Sequence, residues 1–253
     1  MGKEVSIIIH PTCASSYRLV KNLAEKNLVS RVKLVDVSSP RNFTRLRPWS
    51  VPWVLVGGEP VAADPTNVDE VLQIINNSWR KQLDLEEQFM KTVLSSAYAS
   101  SLSYLWGDTS IVLEDSFIEA AVRAKLLGLD VEKIRRILES RSKELYTKWE
   151  KKIVKTLAYV FVREYWWSAE GKTSAQEIRE HINEEVLGVW LLGKASIGRV
   201  GLPPRPLLGR EKTSSLYSTV IANLEKILKH VIEEQTIILG DKEYWRILDK
   251  YAE

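Results

Sequence analysis

The single cysteine of this 253-residue chain, Cys13, lies between a predicted strand and a predicted helix. The apolar run at residues 5–9, VSIII, is typical of a buried strand, and residues 15–26 carry apolar side chains at helical spacing. A helix N-terminus presents unpaired N–H groups and a partial positive charge, and both favour the thiolate form of a nearby thiol. Because the thiolate is the nucleophile, this placement predicts that Cys13 reacts with disulfides or electrophiles near neutral pH.

The neighbours of Cys13 extend the candidate site and limit its chemistry. His10 lies three residues before Cys13 and adds positive charge when protonated, and Ser16 lies three residues after it. With one cysteine, a disulfide within the chain is impossible. Three chemistries remain: exchange through a mixed disulfide with a small thiol, thiol transfer, or ligation of an iron–sulfur cluster at a dimer interface. Two plainer interpretations stay open, namely Cys13 as a buried apolar side chain and His10 as a loop residue.

The elements that must position these residues follow directly along the chain. Strands are predicted at residues 32–37, 51–56 and 59–63, and residues 40–49 are predicted as a loop with one helical turn. The Gly-Gly pair at residues 57–58 is a hairpin signal. Asp64 is predicted as the N-cap, and Pro65 as the first residue, of a helix that runs to about residue 76. The predicted order is therefore βαβαββα.

Two motifs together resemble the glutaredoxin group of the thioredoxin-fold superfamily over residues 4–76. The first is Pro-Thr-Cys-x-x-Ser at residues 11–16, and the second is Val-Pro at residues 51–52, opening a strand roughly forty residues later. The resemblance implies a mixed four-stranded sheet and a cis peptide bond before Pro52. It also implies a catalytic role for Cys13, with Ser16 in the place of a resolving cysteine, and substrate contacts from Thr12, Val51 and Pro52. His10 joins Cys13 and Ser16 as a catalytic candidate because of its position three residues before the thiol. The cluster-binding signature Cys-Gly-Phe-Ser of monothiol glutaredoxins is not matched by residues 13–16.

From residue 77 onward the pattern is helical. Helices are predicted at residues 79–105, 114–127, 131–168, 174–192, 213–235 and 241–251. The 131–168 segment is long enough to predict a kink or a division into two helices. We therefore divide the chain into an α/β domain at residues 1–77 and an all-α domain at residues 78–253, a layout similar to that of glutathione transferases. That similarity implies that Asp64 and Thr66 anchor glutathione or another low-molecular-weight thiol.

Composition narrows the classes of protein and partner. The net charge of +3 does not favour nucleic acid as a partner. One cysteine excludes a disulfide-stapled secreted domain. No run of about 18 apolar residues is present, so neither a membrane span nor a membrane partner is expected, and the predicted location is the cytoplasm. The abundance of Lys, Arg and Glu resembles the amino-acid composition of proteins from thermophiles. No Cys/His cluster has zinc-site spacing, so no metal site is predicted.

These observations predict a thiol-dependent protein, either a thiol–disulfide oxidoreductase or a thiol transferase if it is active. Its expected partner is a small thiol or a protein disulfide, and a homodimer is compatible with the sequence. One alternative is an inactive thioredoxin-fold scaffold that serves as a protein-interaction or dimerisation module. A weaker alternative is nucleic-acid binding, which requires a basic stripe built from two groups of residues: Arg41, Arg45 and Arg47, and Lys148, Lys151, Lys152 and Lys155.

Overall fold

The computed structural model describes residues 4–79, 84–198 and 209–253. Its first seven elements follow the predicted order. They are β1 (Val5–Ile9), α1 (Ala14–Glu25), β2 (Lys33–Asp36), α2 (Pro40–Leu46), β3 (Trp53–Val56), β4 (Glu59–Ala63) and α3 (Val68–Ile75), with a short 3₁₀ turn at Val29–Arg31. The short helix predicted within residues 40–49 is present and longer than the single turn expected, because Pro40 begins a seven-residue helix as its first residue.

The strands form one mixed sheet in the order β2-β1-β3-β4. β1 pairs with β2 in parallel and with β3 in antiparallel orientation, so that Ile7 lies opposite Leu34 on one side and Val54 on the other. β3 and β4 are antiparallel neighbours. As a central strand β1 is covered on both faces, and Ile7, Ile8 and Ile9 are all fully buried. The predicted fold class, a βαβαββα unit with a mixed four-stranded sheet followed by helices, is confirmed.

The helices that follow are more finely divided than predicted. They are α4 (Leu85–Ser95), α5 (Ala97–Trp106), α6 (Asp115–Ala121), α7 (Ala124–Leu127), α8 (Val131–Ser140), α9 (Ser142–Ser168), α10 (Ala175–His181), α11 (Glu184–Gly198), α12 (Arg210–Gly240) and α13 (Lys242–Tyr251). The expected division of residues 131–168 is present, at Arg141. The single helices predicted at 79–105 and 174–192 were wrong, because Ser96 and Ile182 each adopt an extended backbone that ends the preceding helix. A helix break made by one extended residue leaves the hydrophobic periodicity almost unchanged, so the sequence pattern does not reveal it.

Contacts divide the chain into two compact units. The first contains Met1–Ser96, Leu113–Ser140 and Ile237–Glu253, and the second contains Ala97–Val112 and Arg141–Thr236. The proposed domain boundary at residue 77 stays a prediction. Within the first unit, α13 packs against α1 and β2, and the N–H of Glu253 donates to the carbonyl oxygen of Leu34 at 3.1 Å. Within the second unit, α5 packs against α9 and α11.

The sheet's core determines where the β1–α1 connection lies. Leu19 and Leu23, one turn apart on α1, are buried in the same apolar cluster as Ile7, Ile9 and Val71 of α3. α1 therefore covers the sheet face on which α3 also packs. This packing holds the first turn of α1 at the end of the central strand, which is where Cys13 lies. In the described parts of the chain, no helix is both long and apolar enough to cross a membrane.

Candidate thiol site

Cys13 is the N-cap residue of α1 and lies in a tight turn at the end of β1. Its backbone N–H donates to the carbonyl oxygen of His10 at 3.0 Å, and its own carbonyl accepts the N–H of Tyr17 at 2.8 Å. The side chain is partly exposed, and Sγ donates to the carbonyl oxygen of Val51 at 3.4 Å. Cys13 thus directly precedes the first turn of the helix, whose N–H groups are unpaired, and its side chain makes no capping hydrogen bond to them. Sequence and structure agree on this placement.

The segment before β3 brings Val51 and Pro52 to the thiol. The Val51–Pro52 peptide bond is cis, which confirms the implication of the resemblance. The carbonyl oxygen of Pro52 accepts the N–H of Asp64 at 3.0 Å, so this segment is tied to the end of β4. The Val51 carbonyl is thereby presented to Cys13. The structure brings together three of the predicted site residues, Cys13, Val51 and Pro52.

The Ser16 and His10 side chains both form hydrogen bonds within the turn that carries Cys13. Ser16 is fully buried, and its Oγ accepts the backbone N–H of His10 at 3.3 Å. Nδ1 of His10 accepts the N–H of Thr12 at 3.3 Å and lies 3.1 Å from Thr12 Oγ1. An Nδ1 that accepts an N–H carries no proton, so this contact favours the neutral imidazole. The described contacts of both side chains therefore shape the backbone around Cys13, and their predicted catalytic roles stay predictions.

A cleft of about 490 Å³ lies in the first unit between α1 and the connection from β4 to α3. Ser15, two residues after Cys13, belongs to its lining, as do the predicted substrate-binding residues Asp64 and Thr66. Its remaining lining residues are Arg18, Leu19, Asn22, Pro65, Asn67 and Ser95. The cleft offers a carboxylate, a guanidinium and several hydroxyl and amide groups within a single small volume. Such a set can hold a small polar molecule by hydrogen bonds and charge.

The predicted helix start at Asp64 and Pro65 was wrong. α3 begins at Val68, and its N-cap is Asn67, whose side-chain oxygen accepts the N–H of Glu70 at 2.9 Å. Thr66 Oγ1 donates to the carbonyl oxygen of Ala63 at 2.8 Å and so closes the connection that precedes the helix. The Asn-x-x-Glu spacing at residues 67–70 is itself an N-cap signal, and it is the one the chain uses. Asp64 is therefore free of a capping role.

Asp64 is a buried carboxyl group with an altered ionisation. It is 8% exposed, and burial raises its pKa to about 6. Hydrogen bonds from Ser95 and Ser15, the positive charge of Arg18 and the Thr66 backbone oppose this rise. Because the proton is held more tightly in the folded protein than in the unfolded chain, ionisation of Asp64 above pH 6 costs stability. A costly buried charge next to a polar cleft is characteristic of functional sites.

We expect the change in free energy of unfolding caused by Asp64→Asn to be more favourable at neutral pH than in acid. The folded pKa lies above the unfolded value, so the wild-type contribution is fully present below about pH 4 and is lost as pH rises towards 6. The asparagine side chain does not ionise, so the variant lacks this pH-dependent loss of stability. The difference in free energy of unfolding between variant and wild type should therefore change by about 2–3 kcal/mol in favour of the variant from pH 4 to pH 7. Urea unfolding at several pH values measures it, and a pH-independent difference would contradict the assignment.

Arg123 is a site-forming residue that sequence reasoning missed. It is fully buried at the junction of α6 and α7, with a backbone φ of 57°. Its guanidinium donates to the carbonyl oxygens of Ala63 at 2.9 Å and Pro65 at 2.6 Å, to Thr66 Oγ1 at 3.1 Å, and to Glu70 Oε2 at 3.3 Å. One side chain thus holds the whole connection that carries Asp64. The local sequence, Ala-Ala-Val-Arg-Ala-Lys, contains no signal for this role.

Comparisons of the chain with protein-family models, curated proteins and solved structures give no match. The fold and site nevertheless define a class. A βαβαββα region with sheet order β2-β1-β3-β4, a parallel β1–β2 pair and a cis proline before β3 has a thioredoxin-like layout, and helices follow it. Within the described ranges, no group of three or more His, Cys, Asp or Glu side chains is placed to hold a metal ion.

Proposed function

We propose that this protein is a thiol-dependent redox or transferase protein in which Cys13 is the nucleophile. The observation that carries the proposal is the position of Cys13, which is partly exposed and is the N-cap residue of α1. The helix N-terminus stabilises negative charge on the sulfur. The cis-proline segment offers backbone groups to an extended substrate, as it does in glutaredoxins and glutathione transferases.

The proposed chemistry needs only one thiol from the protein. The Cys13 thiolate attacks one sulfur of a disulfide, a new sulfur–sulfur bond forms, and the other sulfur leaves as a thiolate. A second small thiol, as its thiolate, then attacks the substrate-derived sulfur of this mixed disulfide and releases the Cys13 thiolate. Both steps are two-electron exchanges in which one disulfide replaces another. Ser16 cannot resolve the mixed disulfide, so the small thiol is required as co-substrate.

The cleft beside α1 supplies the proposed binding site for that thiol. Ionised Asp64 suits a ligand ammonium group, and the Arg18 guanidinium suits a carboxylate. Thr66 lines the same space and is held by Arg123. A small peptide thiol such as glutathione carries both an ammonium and carboxylates. The substrate class we propose is therefore a low-molecular-weight thiol, or a protein disulfide that exchanges with it.

A second candidate function is an interaction scaffold that keeps the fold without the chemistry. The observations that favour it are the fully buried Ser16 and the apolar side chain of Val189 on α11, which is 72% exposed. Contiguous exposed apolar patches mark surfaces where another chain binds, and Val186, three residues before Val189 on the same helix, is also exposed, at 39%. Under this alternative Cys13 is an unreactive small side chain, and the second unit carries a homodimer or partner contact. The reactivity of Cys13 separates the two functions.

We expect iodoacetamide to alkylate native Cys13 with a lower pH midpoint than it alkylates the same cysteine in the unfolded chain. The same protein in urea is a matched control, because its one cysteine then lacks the helix terminus and should react with the free-thiol midpoint. Cys13→Ser provides the blank. Equal midpoints in the native and unfolded chains, or a thiol that reacts only after unfolding, would overturn the enzyme proposal in favour of the scaffold.

A further inference from the structure

The first turn of α13 carries a buried tyrosine that reaches the cysteine turn from the far end of the chain. Tyr244 is fully buried, and its hydroxyl donates to the carbonyl oxygen of Pro11 at 2.9 Å. Its ring meets that of Tyr17 on α1 edge to face, with ring centroids 4.9 Å apart. A residue separated from Pro11 by 233 positions thus closes the turn between β1 and Cys13.

Tyr244 is held in this position by its own helix. Asp241 caps α13 by accepting the N–H of Tyr244 at 2.9 Å, and its other carboxylate oxygen accepts the Tyr17 hydroxyl at 2.9 Å. Lys21 bridges Asp241 at 3.2 Å and Glu243 at 2.6 Å. The start of α13 is therefore fastened to α1 at three points, and Tyr244 cannot leave Pro11 without breaking these contacts.

The hydroxyl of Tyr244 remains a donor when the thiol ionises. Burial raises the pKa of the Tyr244 phenol, and negative charge on Cys13 raises it further. The other charged or titratable groups that act on it are Asp36, Tyr17 and Asp241. In the same turn, the His10 carbonyl accepts the N–H of Cys13 at 3.0 Å. In this turn the carbonyls of His10 and Pro11 are thus each held by a donor.

We propose that Tyr244 is a positioning residue for Cys13. By holding the Pro11 carbonyl, it fixes the path of the turn and hence the position of the sulfur relative to the unpaired N–H groups of α1. The stabilisation of a thiolate by a helix terminus falls off within the first turn, so a small displacement of the sulfur weakens it. This inference rests on the proposed function, because it concerns the same sulfur.

The test compares Cys13 alkylation in wild type, Tyr244→Phe and Tyr17→Phe, each over a range of pH. Tyr244→Phe keeps the ring contact with Tyr17 and removes only the bond to Pro11. We expect it to raise the alkylation midpoint by about 0.5–1 pH unit. Tyr17→Phe is the matched control, because it removes one hydroxyl from the same contact between α1 and α13 but leaves Pro11 bound. Its midpoint should stay within about 0.2 pH unit of wild type.

The outcomes separate this inference from the proposed function. Equal shifts in both variants would mean that docking of α13 matters and the Pro11 bond does not, and the inference would be wrong. An unshifted Tyr244→Phe would also overturn it while leaving the proposed function intact. A wild-type midpoint equal to that of the unfolded chain would overturn both.

Discussion

Arg123→Met is expected to lower the free energy of unfolding by about 3–5 kcal/mol. The guanidinium is fully buried and forms an ion pair with the buried carboxylate of Glu70 at 3.3 Å. Its removal takes that cation away and takes a donor from the carbonyl oxygens of Ala63 and Pro65. Buried polar groups that lose a partner bear the full cost of their desolvation. Methionine fills similar space, so the loss comes from charge and hydrogen bonds.

Chemical denaturation of Arg123→Met beside Arg136→Met measures this effect. The Arg136 side chain is 77% exposed and pairs with Glu132 one turn away, so its removal should change stability by less than about 0.5 kcal/mol. Glu70→Gln combined with Arg123→Met should recover part of the loss, because the buried negative charge is then gone. A loss below about 1 kcal/mol in the single variant would show that Arg123 does not hold the connection as the structure indicates.

Phe117→Ala is expected to cost about 3–5 kcal/mol of stability. Phe117 on α6 is fully buried between two other rings, with centroid distances of 5.0 Å to Trp49 and 5.7 Å to Phe89. Trp49 lies two residues before Val51, so the ring cluster supports the segment that leads to Val51. The Trp49 carbonyl also accepts the hydroxyl of Ser96 at the end of α4, which holds the same segment. Deleting the central ring leaves a cavity that its two aromatic neighbours cannot fill by a small shift.

Phe117→Leu is the matched variant, since it keeps most of the apolar volume. Its expected cost is about 1–1.5 kcal/mol, so urea unfolding should order the proteins as wild type, leucine variant and alanine variant. In the alanine variant, Cys13 should also reach the alkylation midpoint of the unfolded chain at lower urea than in wild type, because the ring cluster and the thiol belong to the same compact unit. Similar stabilities for alanine and leucine would contradict a close-packed ring cluster at this position.

Local patterns were sufficient to place the thiol. The apolar run at Val5–Ile9 and the helical spacing after Cys13 depend on neighbouring residues, so they predict the strand, the turn and the helix start from a short stretch of sequence. The cis bond before Pro52 was implied by the resemblance to glutaredoxins, which rests on the motifs at residues 11–16 and 51–52. Helix ends were less predictable, because one extended residue, such as Ser96, breaks a helix while the apolar pattern continues across it.

Contacts between distant parts of the chain decided the surroundings of that thiol. Arg123 and Tyr244 each bind carbonyl oxygens more than fifty positions away, and a carbonyl oxygen has no side-chain identity that a sequence pattern could reveal. The raised pKa of Asp64 likewise depends on burial. By itself, then, the sequence determined the βαβαββα order and the place of Cys13 at a helix start, since both depend on neighbouring residues. Only the tertiary structure decided which side chains hold the turn and the cleft, because folding alone brings those residues together.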